Sequence, residues 1–253
     1  MKTHLHRVTL AVSSALLVAG CSTGASAQWS NSVGGVWNNP TSSLASTMVY
    51  NRLLLDAAKK KTAPEAEGAR APQAQQKSPS VRRLRVSTTF RPVAPSLMVQ
   101  DLAQGMGKTP AERAQLAEAF GQFLGIFEDQ ARADKELHDL ARAAAFFLVA
   151  NYAIASGREP TEKQTIAVEE KFRGGLSGSQ QLGAMSDREK QKLYETLVIF
   201  GSLPVAGRNS AKEKRDAEQQ KMFRRLAREN IQTLLGVPVE KIHLTDEGLS
   251  IAD

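Results

Sequence analysis

From Thr109 onward, apolar residues recur at helical spacing almost without pause. Leu116, Ala119, Phe120, Phe123, Leu124 and Phe127 fall three or four residues apart on one face. Thr109, Pro110 and Glu112 ahead of them supply an N-cap, a proline at the first helical position and a capping-box acid. The spacing therefore predicts a helix from 110. A second helix is predicted over 134–156, striped by Leu137, Leu140, Ala141, Ala144, Phe147 and Leu148 and followed by Gly157. Its stretch 143–155 is apolar all round except for Asn151 and Tyr152, yet too short to cross a bilayer, so it reads as the central helix of a bundle. Asn151 is expected to bond to a neighbouring helix end, with a ligand-contacting role as the alternative. A third helix covers 161–172, closed by Gly174, Gly175 and Gly178. Ser186 with Glu189 repeats the capping box and opens a fourth through Leu193, Leu197 and Phe200, disturbed by Gly201 and Pro204. The fifth spans 210–235, with Phe223, Leu226, Ala227, Ile231 and Leu234 inward and Gly236 as its stop. Gly121 and Gly125 would permit a close crossing on the first helix. Short alternating runs at Leu84, Val86, Thr88 and Phe90 and at Ile242, His243, Leu244, Leu249 and Ile251 are expected to pair as a small ribbon. The fold class is thus all-α: a bundle of about five helices over 81–253, with a two-stranded ribbon as an addition.

The first sixty residues follow different rules. A basic start (Lys2, Arg7) precedes an apolar run over 8–19 that is far too short to span a membrane, which reads as an export signal over 1–20. Val18-Ala19-Gly20-Cys21 resembles the lipobox of bacterial lipoproteins, making Cys21 the expected lipid attachment residue, with Ser22 behind it pointing to outer-membrane sorting. Ala25-Ser26-Ala27 before Gln28 offers an alternative cleavage that removes 1–27. An outer-membrane lipoprotein facing the periplasm is the favoured location, with a soluble periplasmic or secreted product as the alternative. The segment 21–61 then holds a polar arm, carrying Trp29 and Trp37, and a short amphipathic helix over 41–60 through Leu44, Met48, Val49, Leu53 and Leu55. That helix is expected to dock on the main domain, with binding to a membrane surface or a partner as the alternative. Between 62 and 80, Ala, Pro, Gln, Glu and Ser dominate without an apolar period, the signature of a linker.

Charge sharpens this division. The 253-residue chain carries a formal +7, but nine basic residues against two acidic ones lie between Lys59 and Arg91. Residues 92–253 hold 21 basic against 23 acidic residues. A nucleic-acid reader would concentrate positive charge on its folded part, so neither nucleic acid nor nucleotide is expected as a partner. The tract from Lys59 to Arg91 instead suits an anionic envelope surface or an envelope protein, with the membrane reached through lipid on Cys21.

Catalytic signatures are weak. Gly107-Lys108-Thr109 matches the tail of a phosphate-binding loop, but Leu102 stands where its first glycine belongs. Glu240 and His243 form a single E-x-x-H after the last helix, half of what a di-iron bundle needs. His138 beside Asp139 suggests an acid/base pair, although adjacent helical residues point in different directions. No catalytic, cofactor-binding or metal residue is assigned. A binding or assembly module without catalytic activity is the leading expectation. The alternatives are a cell-envelope polymer hydrolase using carboxylates such as Glu169 or Glu170, and a secreted effector.

The order of these elements is familiar. Thr89-Phe90-Arg91-Pro92, Asp139-Leu140-Ala141-Arg142-Ala143, Ser186-Asp187-Arg188-Glu189-Lys190-Gln191 and the closing Leu244-Thr245-Asp246-Glu247-Gly248-Leu249 resemble a bacterial family of exported helical proteins of unknown function. The resemblance covers about 88–250. It implies the helical architecture and export, and no activity or catalytic residue.

Overall fold

The computed structural model describes residues 53–59 and 86–252. The export signal, Cys21, the arm with its two tryptophans, the first part of the amphipathic helix and the 62–80 linker lie outside the described residues.

The first described segment, helix α1 (53–59), buries Leu53, Leu54, Ala57 and Ala58 against the bundle. After an extended stretch from Val86 come α2 (Val99–Met106), α3 (Pro110–Ala133), α4 (Leu140–Ser156), α5 (Glu162–Ser177) and the short α6 (Gln180–Ala184). Two long helices follow, α7 (Asp187–Glu213) and α8 (Ala217–Leu235), then a 3-10 turn (Val239–Lys241) and the strands β1 (Ile242–Thr245) and β2 (Gly248–Ile251). The expected all-α bundle with its ribbon is what the chain forms.

Several boundaries moved, for physical reasons. Helix α3 begins as expected, with both bonds of the Thr109–Glu112 capping box made. The central helix starts at Leu140 rather than 134, because Asp139 caps it by accepting from Ala141 N at 2.8 Å, while Lys135 and His138 ahead of it take positive φ. Helix α4 otherwise meets the expectation: nearly every residue is buried, and its alanines let α5, α7 and α8 pack around it. Helix α5 runs through Gly174 and Gly175 to Ser177. The break between the last two long helices falls at 214–216, where Arg215 takes φ 54°, and not at 201–209. The ribbon is β1 paired antiparallel with β2, Ile242 opposite Ile251 and Leu244 opposite Leu249. The 86–90 run does not join it. Thr89 instead pairs with Asp139, with Phe90 N donating to His138 O at 3.2 Å and Leu140 N to Thr88 O at 3.0 Å.

Helix α7 keeps its course through Pro204 because a distant pair of side chains repairs the damage. Proline has no N–H, so the Phe200 carbonyl loses its partner four residues on. Asn151 of α4 donates to that oxygen at 3.2 Å and to Phe147 O at 2.8 Å. Asn230 of α8 donates to it at 3.0 Å and to Asn151 Oδ1 at 2.9 Å. Both asparagines are fully buried. The expected neighbour for Asn151 is therefore a helix interior opened by proline, not a helix end.

The close crossing lies elsewhere than Gly121 and Gly125, whose faces meet open space. It is at Gly175, where any Cβ would overlap the backbone of Ala57 in α1. Gly175→Ala is expected to overpack this contact by about 1–3 kcal/mol and to release α1 while leaving the bundle folded. Hydrogen exchange checks it: amides of 53–59 should lose protection while those of α4 keep theirs, and unchanged protection in 53–59 would refute the docking contact.

Candidate functional site: a cleft between the 86–95 segment, α3 and α7

Six charged side chains shape the α3–α4 connection. Arg142, 2% exposed, reaches back to Asp134 Oδ2 and Glu136 Oε2, both at 2.5 Å. Arg173 of α5 binds Asp139 at 2.5 Å, Glu136 at 3.1 Å, and Glu169 one turn away. Burial raises the Glu169 carboxyl above its ordinary value, Glu136 adds to the rise, and Arg173 opposes it. These bonds fix the loop 134–139 and with it His138, whose φ of 58° turns its ring out of the helical path.

The His138 ring packs 5.4 Å from Phe90 and 6.1 Å from Tyr194, and its Nε2 lies 3.9 Å from Glu128 Oε1. Together with Pro92 and Val93 these residues line a cleft of about 390 Å³. Desolvation lowers the His138 pKa, with Arg132 adding to the effect, so the imidazole favours its neutral form. Desolvation raises Glu128, reinforced by the charge of Glu195. Tyr194 is 1% exposed and its phenol is pushed far up by burial, with the Glu128 charge acting in the same direction. Its hydroxyl proton has no acceptor. The backbone of His138 acts on it only by favouring the phenolate.

The opposite wall is held by α7. Glu195 Oε2 accepts from Ser96 Oγ at 3.1 Å, Leu97 N at 2.8 Å and Met98 N at 2.7 Å, while its Oε1 accepts from Gln191 Nε2 at 2.8 Å. It thus caps α2 from another helix, where Met98 offers no side chain for the purpose. Gln191 accepts from Val93 N at 2.8 Å and donates to Ala94 O at 2.7 Å, fixing the rim.

Other candidates are occupied elsewhere. Asp139 binds Arg173 and accepts from the Ala141 amide, so it is not the partner of His138. Glu170 lies exposed beside Glu169 on α5. His243 is exposed on β1, and Glu240 pairs with Arg228 at 3.3 Å. The Gly107-Lys108-Thr109 run links α2 to α3, with a helix where a phosphate-binding loop needs a strand. The Lys108 and Thr109 amides both donate to Glu112. Lys59 and Arg91 are exposed, and 60–85 lies outside the described residues. Among the described residues no group of His, Cys, Asp and Glu is arranged to hold a metal ion, and no helix is long and apolar enough to cross a membrane.

Sequence reasoning missed Glu128, Gln191, Tyr194 and Glu195. Its three internal motifs nonetheless converge here: Phe90 and Pro92 line the cleft, Asp139 and Arg142 hold its loop, and Gln191 pins its rim.

Titration by NMR should find the Glu128 carboxyl above the ordinary glutamate value and His138 below the ordinary imidazole value. A raised Glu128 contributes stability that is fully present below its unfolded value and lost as pH rises through its folded one. A lowered His138 contributes stability present above its unfolded value of about 6.5 and lost as pH falls through the folded one. His138→Gln should remove that acid-side loss, and an unaltered pH–stability profile would contradict a partly buried imidazole that favours its neutral form.

No curated protein and no solved structure matches this chain. One family model does, over residues 6–252, and the protein belongs to that family, a family of unknown function (DUF6683).

Proposed function

We propose that this protein is an exported cell-envelope module, held by lipid on Cys21 or soluble in the periplasm, whose cleft between the 86–95 segment, α3 and α7 binds a partner without catalysing a reaction. The observation that carries the reading is the state of Glu195. Two carboxylates line the cleft, as a hydrolase would need, but Glu195 accepts four hydrogen bonds from Ser96, Leu97, Met98 and Gln191. A carboxylate so engaged is a poor base or nucleophile, which leaves Glu128 without a catalytic companion. Of the carboxylates singled out from the sequence, Glu169 is bound to Arg173 and Glu170 lies exposed on α5, away from the cleft lining. The basic tract between Lys59 and Arg91 adds attraction to an anionic envelope surface.

The test is recovery from crosslinked envelopes of the native host, comparing the natural chain with Val93→Glu, a change at an exposed rim position. A species captured by the first and lost with the second supports the reading. No species, or the same species with both, overturns it. Release of envelope polymer fragments that depends on Glu128 would favour the hydrolase instead. Intact mass decides the anchor: diacylglycerol on Cys21 supports it, and a free N-terminus at Gln28 favours the soluble or secreted product.

A further inference from the structure

The charge of the folded part is not evenly spread. Between Arg208 and Arg228 lie eight basic residues against three acidic ones, leaving 13 basic against 20 acidic over the rest of 92–253. This stretch forms the end of α7, the turn at 214–216 and the first half of α8. On α8, Phe223, Leu226, Ala227 and Asn230 turn into the bundle, while Lys221, Arg224, Arg225 and Arg228 are exposed at the spacing of a single face. Lys212 and Arg215, also exposed, extend the basic surface at the turn. No acid interrupts α8 between Glu218 and Glu229. A face that only meets water gains from opposite charges three or four residues apart, and like charges at that spacing cost helix stability. Lys221 and Arg225 are like charges four apart, and so are Arg224 and Arg228. Two acids reach the edge of the face, Glu229 at 3.6 Å from Arg225 and Glu240 at 3.3 Å from Arg228. All four of those side chains are at least 46% exposed, so these are surface pairs that a denser anion can replace at little cost.

Side chains on the convex side of a helix diverge, so these cations do not close together on one small anion. They suit many anionic groups spread over an area. Lys221 to Arg228 covers about 10 Å of helix axis, and the turn carries the field further. The one aromatic residue of 208–228, Phe223, is buried, so the face offers no ring for a nucleobase to stack on. We propose that this face docks on an anionic phospholipid bilayer, with α8 lying along the headgroups. The attraction is electrostatic, since no large apolar side chain of this stretch is exposed for insertion. The rest of the folded part, net acidic, is repelled by the same surface, so the basic face sets the orientation. The choice of a bilayer over a soluble polyanion rests on reading the chain as an envelope protein; the anionic character of the partner rests on the helix face alone. The surface is separate from the cleft, none of whose lining residues falls within 208–228.

The experiment sediments the purified, unlipidated chain with vesicles of phosphatidylglycerol mixed equally with phosphatidylcholine. Vesicles of phosphatidylcholine alone read whatever the apolar residues 8–19 contribute. Binding to the mixed vesicles should exceed binding to the neutral ones and fall as salt is added. Arg224→Gln should lower the partition coefficient about 5-fold, and Arg224→Gln combined with Arg225→Gln about 25-fold, one basic residue's attraction being removed at each step. Arg224→Gln should also be at least as stable to urea as the natural chain, because it relieves the like charge of Arg228, so that lost binding is not lost folding. Arg188→Gln, also exposed but at the opposite end of α7, should change neither quantity: at 1.5 Å per residue it lies about 36 Å from Lys212, well beyond the screening length. The tract between Lys59 and Arg91 is the same in every variant, so the ratios report the α8 face. An unaltered partition in the double variant would overturn the proposal, as would an equal loss in Arg188→Gln or binding that ignores salt. Duplex DNA held more tightly than the mixed vesicles at equal phosphate, with the same loss in the variants, would overturn the bilayer in favour of another polyanion. The outcome is separate from envelope capture through the cleft. A chain that binds anionic vesicles by α8 and captures no partner keeps the docking face and loses the cleft reading, and the opposite result does the reverse.

Discussion

Replacing Arg142 with alanine is expected to destabilise the bundle by about 3–5 kcal/mol, the cost of removing one partner from a buried ion pair. The guanidinium is nearly inaccessible, and Asp134, itself only 10% exposed, has its carboxylate at 2.5 Å from it. Truncation removes the buried guanidinium from Asp134, and leaves Glu136 with Arg173 alone. The damage should spread to the cleft, because the 134–139 loop presents His138 against Phe90 and Tyr194. Urea denaturation measures the first effect, and loss of the Phe90 and Tyr194 ring shifts by NMR measures the second. Arg142→Lys should recover only part of the loss, since an ammonium cannot serve both carboxylates with the planar fork of arginine. A change in stability below about 1 kcal/mol would show that the cluster is ordinary surface electrostatics.

The second large effect is expected at Asn151. Asn151→Asp replaces the amide that donates to Phe200 O and Phe147 O with oxygens that repel both carbonyls, in a site with no solvent contact. About 2–5 kcal/mol of stability should be lost, most of it from burying an acceptor where a donor is required. Asn151→Leu is the informative control. It also removes the donor, but Asn230 still reaches Phe200 O at 3.0 Å, so the loss should be smaller. Replacing Pro204 with alanine in the Asn151→Asp background restores an N–H to Phe200 and should return part of the deficit. If it returns nothing, the asparagines do not serve the proline break.

These two sites show where sequence reading succeeds and where it stops. The capping boxes at Thr109 and Ser186 and the stop at Gly236 were legible because each is closed within a few residues. The continuation of α7 through Pro204 was not, because its compensation comes from residues near 151 and 230 in sequence. The start of α4 was misjudged by most of two turns: Leu137 fits the helical stripe, but the pull of Arg142 and Arg173 on 134–139 outweighs the period. The turn at 214–216 carries no glycine or proline, and Arg215 adopts its positive φ without a local signal. For the cleft, the pieces Phe90, Pro92 and His138 stood out in the sequence. Glu128 and Tyr194 sit beside apolar stripes, where a polar residue is read as the solvent side until the neighbouring helix is known.

The contact between α1 and Gly175 has a mechanical meaning. Val86 N donates to Ser177 O at 2.8 Å, so the two described segments on either side of 60–85 both meet α5, at positions two residues apart. A pull on the N-terminal end of α1 is borne by the seam between Ala57 and Gly175, the one place where Gly175 leaves no room for a Cβ against the α1 backbone.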